Sequence, residues 1–206
     1  RGAFILQKDL EEFEKNLSIF LGVDCAYGVA DGTNAMVLGL KACEIGEGDE
    51  VIIASHTYIA TAAAVRHVGA EPVFADIDPR TFNIDYRNIE KYINKRTKAI
   101  MPVHLFGQSA EITQIKKLCS KHRLKLIEDC AQSFGSTKNK KHTGTFGDFG
   151  CFSFFPTKNL GCAGDGGMIT TDSLTKMKKL KKLRNHGGLV RNIHEYIGYN
   201  SRLDEI

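Results

Sequence analysis

The feature that most constrains this chain is the regular alternation of short apolar runs with amphipathic stretches of about ten residues. Runs rich in Val, Ile and Phe fall at 49–54, 72–76, 99–103, 124–127, 150–155 and 167–171. Between and around them, apolar residues recur at three- and four-residue spacing, which predicts helices over 7–21, 35–45, 59–68, 84–93, 112–122 and 174–185. Gly22, Gly46 and Gly69 stand where the first three of these should stop. Strands alternating with helices make βαβ units, hence a mainly parallel sheet buried on both faces. In such sheets ligands bind at the carboxyl ends of the strands, so the strand-to-helix junctions are where chemistry is expected.

Composition removes several alternatives. With 42% hydrophobic and 25% charged residues over 206 positions, the chain is of ordinary globular type and long enough to bury a core without disulfide or metal staples. No apolar run approaches the roughly 20 residues of a membrane helix. The net charge of +4 is local. Lys176, Lys178, Lys179, Lys181, Lys182 and Arg184 cluster around Met177, Leu180 and Leu183, the pattern of an amphipathic helix with a solvated basic face rather than a nucleic-acid or membrane patch. The six cysteines form no CxxC pair and most sit among apolar residues, which suits reduced thiols in a cytoplasmic protein. The histidines show no metal-ligand spacing, and His142 is expected at the surface.

Four junctions carry polar groups. Asp31-Gly32-Thr33-Asn34 opens a helix, where free N–H groups attract anions, although Thr and Asn are also simply good caps. Ser55-His56-Thr57-Tyr58 places an aromatic ring at a strand end, either to stack on a flat ligand or to pack in the core. Glu128-Asp129-Cys130-Ala131-Gln132 sets two adjacent carboxylates at a buried strand end. They are costly to desolvate without a positive or protonated partner, and strand alternation lets only one of them face a site. A capping role for Asp129 is the structural alternative. Finally, Lys158 follows the apolar run Phe152-Ser153-Phe154-Phe155, and the glycine-rich segment 161–167 comes next. A partly buried lysine is a candidate nucleophile for carbonyl chemistry, against the alternative of a surface loop lysine. Together a nucleophilic amine, an acid, an aromatic ring and phosphate donors are what pyridoxal 5'-phosphate requires.

The junction segments, with Val103-His104-Leu105-Phe106-Gly107-Gln108 and Gly198-Tyr199-Asn200-Ser201-Arg202-Leu203, occur in the order of a known family. The chain resembles the DegT/DnrJ/StrS family of pyridoxal-phosphate-dependent sugar-nucleotide aminotransferases over nearly its whole length. The resemblance implies a three-layer α/β/α fold of aspartate-aminotransferase type, with a mainly parallel, mixed seven-stranded sheet. It implies Lys158 as the Schiff-base lysine and proton carrier, Asp129 at the pyridinium nitrogen, Gln132 on the O3′ side and Tyr58 over the ring. Gly32, Thr33, Asn34 and Ser153 would hold the phosphate. Asn200 would reach the phosphate of a neighbouring subunit in a homodimer, and His186 would lie near the site. The substrates implied are a nucleotide-linked keto sugar and an amino donor, glutamate, in cell-surface polysaccharide or secondary-metabolite sugar biosynthesis.

Members with His in place of the lysine catalyse dehydration, so Lys158 favours transamination. A non-catalytic regulator binding the same cofactor is the alternative. A generic nucleotide-binding domain lacks the GxGxxG or GxxxxGK[ST] fingerprint. Residues 1–206 are expected to form the cofactor-binding large domain of a longer chain, with a smaller C-terminal domain outside it. The sequence starts without Met and stops at 204–206 in what reads as a continuing helix.

Overall fold

The computed structural model describes residues 4–205. Helix α1 (Lys8–Leu21) leads into β1 (Cys25–Val29) and α2 (Gly32–Ala42). Then follow β2 (Glu50–Ala54), α3 (Ile59–His67), β3 (Glu71–Ala75), β4 (Thr97–Met101), α4 (Ile112–His122) and β5 (Lys125–Asp129). A small hairpin, β6 (Thr137–Lys138) and β7 (Lys141–His142), precedes β8 (Phe149–Ser153), β9 (Gly167–Thr171) and α5 (Leu174–Leu183).

Seven strands form one sheet in the order β1-β9-β8-β5-β4-β2-β3. The neighbours from β3 to β8 pair in parallel; β9 runs antiparallel to both β8 and β1. The carboxyl ends of β1, β2, β4, β5 and β8 therefore open on one edge. Strand alternation feeds a core on each face. Val51, Ile53, Ala99, Met101 and Ile127 pack with α2, α3 and α5, whereas Ile52, Ala54, Ile100 and Leu126 pack with α4. A third cluster joins Leu17 and Leu21 of α1 to Phe152, Phe154 and Met168. The result is the three-layer α/β/α architecture with a mixed seven-stranded sheet.

Three local expectations change. The helix expected over 84–93 is only a 3-10 turn at Ile89–Tyr92. Ile84 bridges Ile77 instead, and the Asp85 carboxylate accepts from the Arg87 N–H and Nε and from Asn88 Nδ2. Such side-chain-to-backbone bonding two residues on favours a turn over a helix. The segment through Glu205 is not helical: Asp204 bridges Ile5, and the Glu205 carboxylate accepts from the Gln7 and Leu10 N–H groups. Glu205 thereby caps α1, whose own Gln7 cap residue supplies no side-chain bond. Residues 1–3 and 206, named in the sequence reading, lie outside the described residues. His142 is half-buried, its ring 4.9 Å from that of Phe20.

The basic helix α5 is tied down by acids. Lys176 pairs with Asp148, Lys179 with Glu44, Lys182 with Glu195 and Arg184 with Glu14. Four of the six cations of this segment thus anchor it to the fold, while Lys178 remains exposed. Among the described residues no helix is long and apolar enough to cross a membrane.

Candidate active site

At the carboxyl edge of the sheet lies a cleft of about 450 Å³. Its walls come from the segments following β1, β2, β4, β5 and β8 and the residues just before β9. Gly32, Thr33, Tyr58, Asp129, Gln132, Ser153 and Lys158 all line it.

One end gathers hydrogen-bond donors that suit an anion. Asp31 caps α2: its Oδ1 accepts the Asn34 N–H at 2.8 Å, and its carbonyl accepts the Ala35 N–H at 3.0 Å. Those bonds leave the N–H groups of Gly32 and Thr33, which have no intrahelical acceptor, at the positive end of the helix. The Thr33 and Ser153 side chains border the same space. Gly32 is required by close approach, because a Cβ there would stand 2.8 Å from Ser153 Cβ. On the other side the backbone of Gly167 packs on the Asp31–Gly32 peptide; a Cβ at Gly167 would lie 2.5 Å from the Asp31 carbonyl carbon.

The other groups are held from different elements. Asp129, the last residue of β5, is buried; its Oδ2 accepts the Thr61 hydroxyl at 2.8 Å and its Oδ1 the Ala131 N–H at 3.1 Å. Burial pushes its carboxyl above the ordinary range, and the Ala131 and Thr61 hydrogen bonds with the charge of Lys158 pull it back. Gln132 Oε1 accepts the Phe106 N–H at 2.8 Å, which turns the amide NH2 away from that bond. Phe106 itself adopts φ 57°, the left-handed region that a bulky residue seldom visits. Lys158 sits half-buried in a turn closed by its N–H on the Phe155 carbonyl at 2.8 Å. Tyr58 stands largely exposed at the mouth, 75% accessible, at the start of α3.

The neighbouring carboxylate, Glu128, points to the opposite face, as alternation requires. It is fully buried and accepts from the N–H groups of Gly144 (2.9 Å), Phe146 (2.7 Å) and Gly147 (2.7 Å) and from His104 Nε2 (3.0 Å).

Two expected site residues lie outside this cleft's lining. Asn34 faces a neighbouring depression with His67 and Tyr199, and its Nδ2 donates to Asp31 Oδ2 at 2.6 Å. Asn200 is exposed and pairs with Asn185. His186 is also exposed, with φ 56° and its N–H on the Tyr199 carbonyl. Conversely, Thr61 and the capping Asp31 had no assigned part in the sequence reading. The signal for Asp31 was present, since an Asp three residues before Asn34 at a helix start is a cap.

A family profile described as the DegT/DnrJ/EryC1/StrS aminotransferase family matches residues 1–206. Among curated relatives, the UDP-N-acetyl-3-dehydro-alpha-D-glucosamine 3-aminotransferase of Acidithiobacillus ferrooxidans is 50% identical over 204 residues, covering 99% of this chain and 55% of the relative. A protein of Geobacillus stearothermophilus named pleiotropic regulatory protein is 43% identical over 203 residues, 98% of this chain and 55% of its own length. The crystal structure of Streptomyces venezuelae DesV in complex with a ketimine intermediate superposes with a TM-score of 0.97 at 41% identity, covering 99% of this chain and 55% of that one. The chain thus spans about half the length of the curated relatives it matches.

Proposed function

Because the chain belongs to the DegT/DnrJ/EryC1/StrS aminotransferase family, we propose that it is the cofactor-binding large domain of a pyridoxal-phosphate-dependent aminotransferase acting on a nucleotide-linked keto sugar. The amino donor in this reading is glutamate. The observation that carries it is the convergence of Lys158, the buried Asp129 and the open start of α2 on one cleft. An amine, an acid and an anion cradle match an aldehyde, a ring nitrogen and a phosphate. When bound, pyridoxal phosphate supplies an electron sink for the charge left by proton removal.

The chain's own residues divide the remaining work. The Gly32 and Thr33 N–H groups, with the Thr33 and Ser153 hydroxyls, hold the phosphate. Asn34 contributes through Asp31, whose second carboxylate oxygen it engages. Tyr58 covers the ring, and Gln132 offers its NH2 to the ring oxygen. Asp129 holds the proton at the ring nitrogen. Lys158 anchors the cofactor through Nζ and, as a free amine, takes and returns the proton at the reacting carbon. Asn200, away from its own cleft, serves the phosphate of a second subunit in a homodimer. Six free cysteines, most of them buried, fit a reducing cytoplasm. Lys158, Asp129 and Gln132 together make a full proton-transfer set, which favours the enzyme over a regulator that only binds cofactor.

The test is a screen of the intact protein with glutamate and nucleotide-linked keto sugars, following 2-oxoglutarate release and the borohydride-reducible visible band of cofactor joined to a lysine. Lys158→Ala is expected to abolish both. Turnover that survives in Lys158→Ala, or a wild type without any pyridoxal phosphate absorption, overturns the reading.

A further inference from the structure

The buried carboxylate in the cleft is supported by a hydroxyl pair from a helix that contributes no other acid or base to it. Thr57 precedes α3 and Thr61 lies in its first turn. Their hydroxyl oxygens are 2.7 Å apart, and Thr61 Oγ1 lies 2.8 Å from Asp129 Oδ2. The direction follows from the acceptor. An ionised Asp129 accepts the hydrogen bond of the Thr61 hydroxyl, so the Thr61 oxygen accepts from Thr57. Both carboxylate oxygens are then engaged by donors, Thr61 on one and the Ala131 N–H on the other. The α3 N-terminus adds its positive dipole on the same side. Thr61 is only 1% exposed, so water does not replace its hydroxyl, whereas Thr57 is half-buried at the cleft wall.

We propose that Thr61 is a positioning residue, and that the Thr57–Thr61 pair keeps the Asp129 carboxylate an acceptor aimed into the cleft, ready for the ring nitrogen of pyridoxal phosphate. The role rests on the aminotransferase reading above. Burial alone pushes the Asp129 carboxyl up, toward a neutral acid. The other titratable groups around it do not substitute for the hydroxyl. Lys158 comes from the segment after β8 and His104 from that after β4. Glu128 faces the opposite side of β5, and the buried thiols of Cys130 and Cys151 are themselves pushed far up by burial.

The experiment uses the intact protein with Thr61→Val, Thr61→Ser and Thr57→Val. One hydrogen bond to a charged group corresponds to a loss of roughly 10- to 100-fold. Thr61→Val is expected to lower kcat by that factor while leaving KM for glutamate near wild type. It should also raise the dissociation constant for pyridoxal phosphate titrated into apoprotein, and shift the pH at which the bound cofactor's absorption changes. Thr61→Ser should return all three readouts toward wild type. Thr57→Val, which removes only the outer link, should show a smaller change in the same direction even where Thr61→Val folds poorly. Wild-type kcat, cofactor affinity and spectral pH profile in Thr61→Val, or in Thr57→Val where that is the variant that folds, overturn the role alone. A wild type that binds no pyridoxal phosphate overturns the aminotransferase reading as well.

Discussion

Glu128 allows a stability change to be worked out from geometry. Its Oε1 accepts from the Phe146 and Gly147 N–H groups, and its Oε2 from the Gly144 N–H and His104 Nε2. In Glu128→Gln one oxygen becomes an NH2, a donor with no accepting capacity. Whichever way the amide is turned, that NH2 meets two N–H groups. A change of tautomer at His104 gives no escape, because its Nδ1 already accepts the Ala110 N–H at 3.1 Å. Two buried donors therefore lose their acceptor. At about 1–3 kcal/mol each, the loss is about 2–6 kcal/mol, against a total stability of roughly 5–15 kcal/mol for a domain. In urea the midpoint should fall by roughly 1–3 M at unchanged slope. Amide hydrogen exchange at Gly144, Phe146 and Gly147 should accelerate together. A midpoint within about 0.3 M of wild type would refute the reasoning, since it would mean that this carboxylate does not anchor the loop.

Asp129→Asn should still take up pyridoxal phosphate but lose transamination by ~10²-fold or more, the usual scale for a missing acid-base partner. Steady-state turnover beside a cofactor titration separates the two effects. Gly32→Ala puts a Cβ against Ser153 and narrows the phosphate cradle. One lost charge-assisted bond raises the pyridoxal phosphate dissociation constant roughly 10- to 100-fold, read by absorbance titration of apoprotein. Burial pushes the thiols of Cys43 and Cys119 up to about 12, raises that of Cys25, and drives those of Cys130 and Cys151 well above the ordinary value. Their thiolates are scarce at pH 8, so a disulfide reagent should modify only Cys162 rapidly in the native protein; fast reaction of a second thiol contradicts the packing.

Much of the architecture was legible because its signals are local. Buried parallel strands are apolar runs, and six of the seven sheet strands stand out that way. The seventh, β1, was not recognised. Cys25-Ala26-Tyr27-Gly28-Val29 is short and carries a glycine, and it is a strand only because β9 pairs with it from far along the chain. The same limit applies at 84–93, where spacing suggested a helix but the Asp85 side chain competes for the backbone of Arg87. In the site, groups with strong chemical identity (Lys158, Asp129, the start of α2) could be named from residue type and position. Thr61 could not, because a threonine in a helix's first turn looks like a cap until Asp129 is seen against it. Nor did the sequence show the task of Glu128, because the loop N–H groups of Gly144, Phe146 and Gly147 that it anchors lie 16 to 19 residues away.

The reversed strand β9 has a consequence for how the protein is made. Cys25 of β1 finds its partner in Thr171, and Gly167 closes over the start of α2. At 5–20 residues per second, a ribosome needs roughly 7–30 s between these two segments. For that interval β1 is an edge without a neighbour, and the anion cradle is a helix end without its lid. The start of α2 is walled on this side only once Gly167 has been made, so completion of the cleft coincides with completion of the sheet.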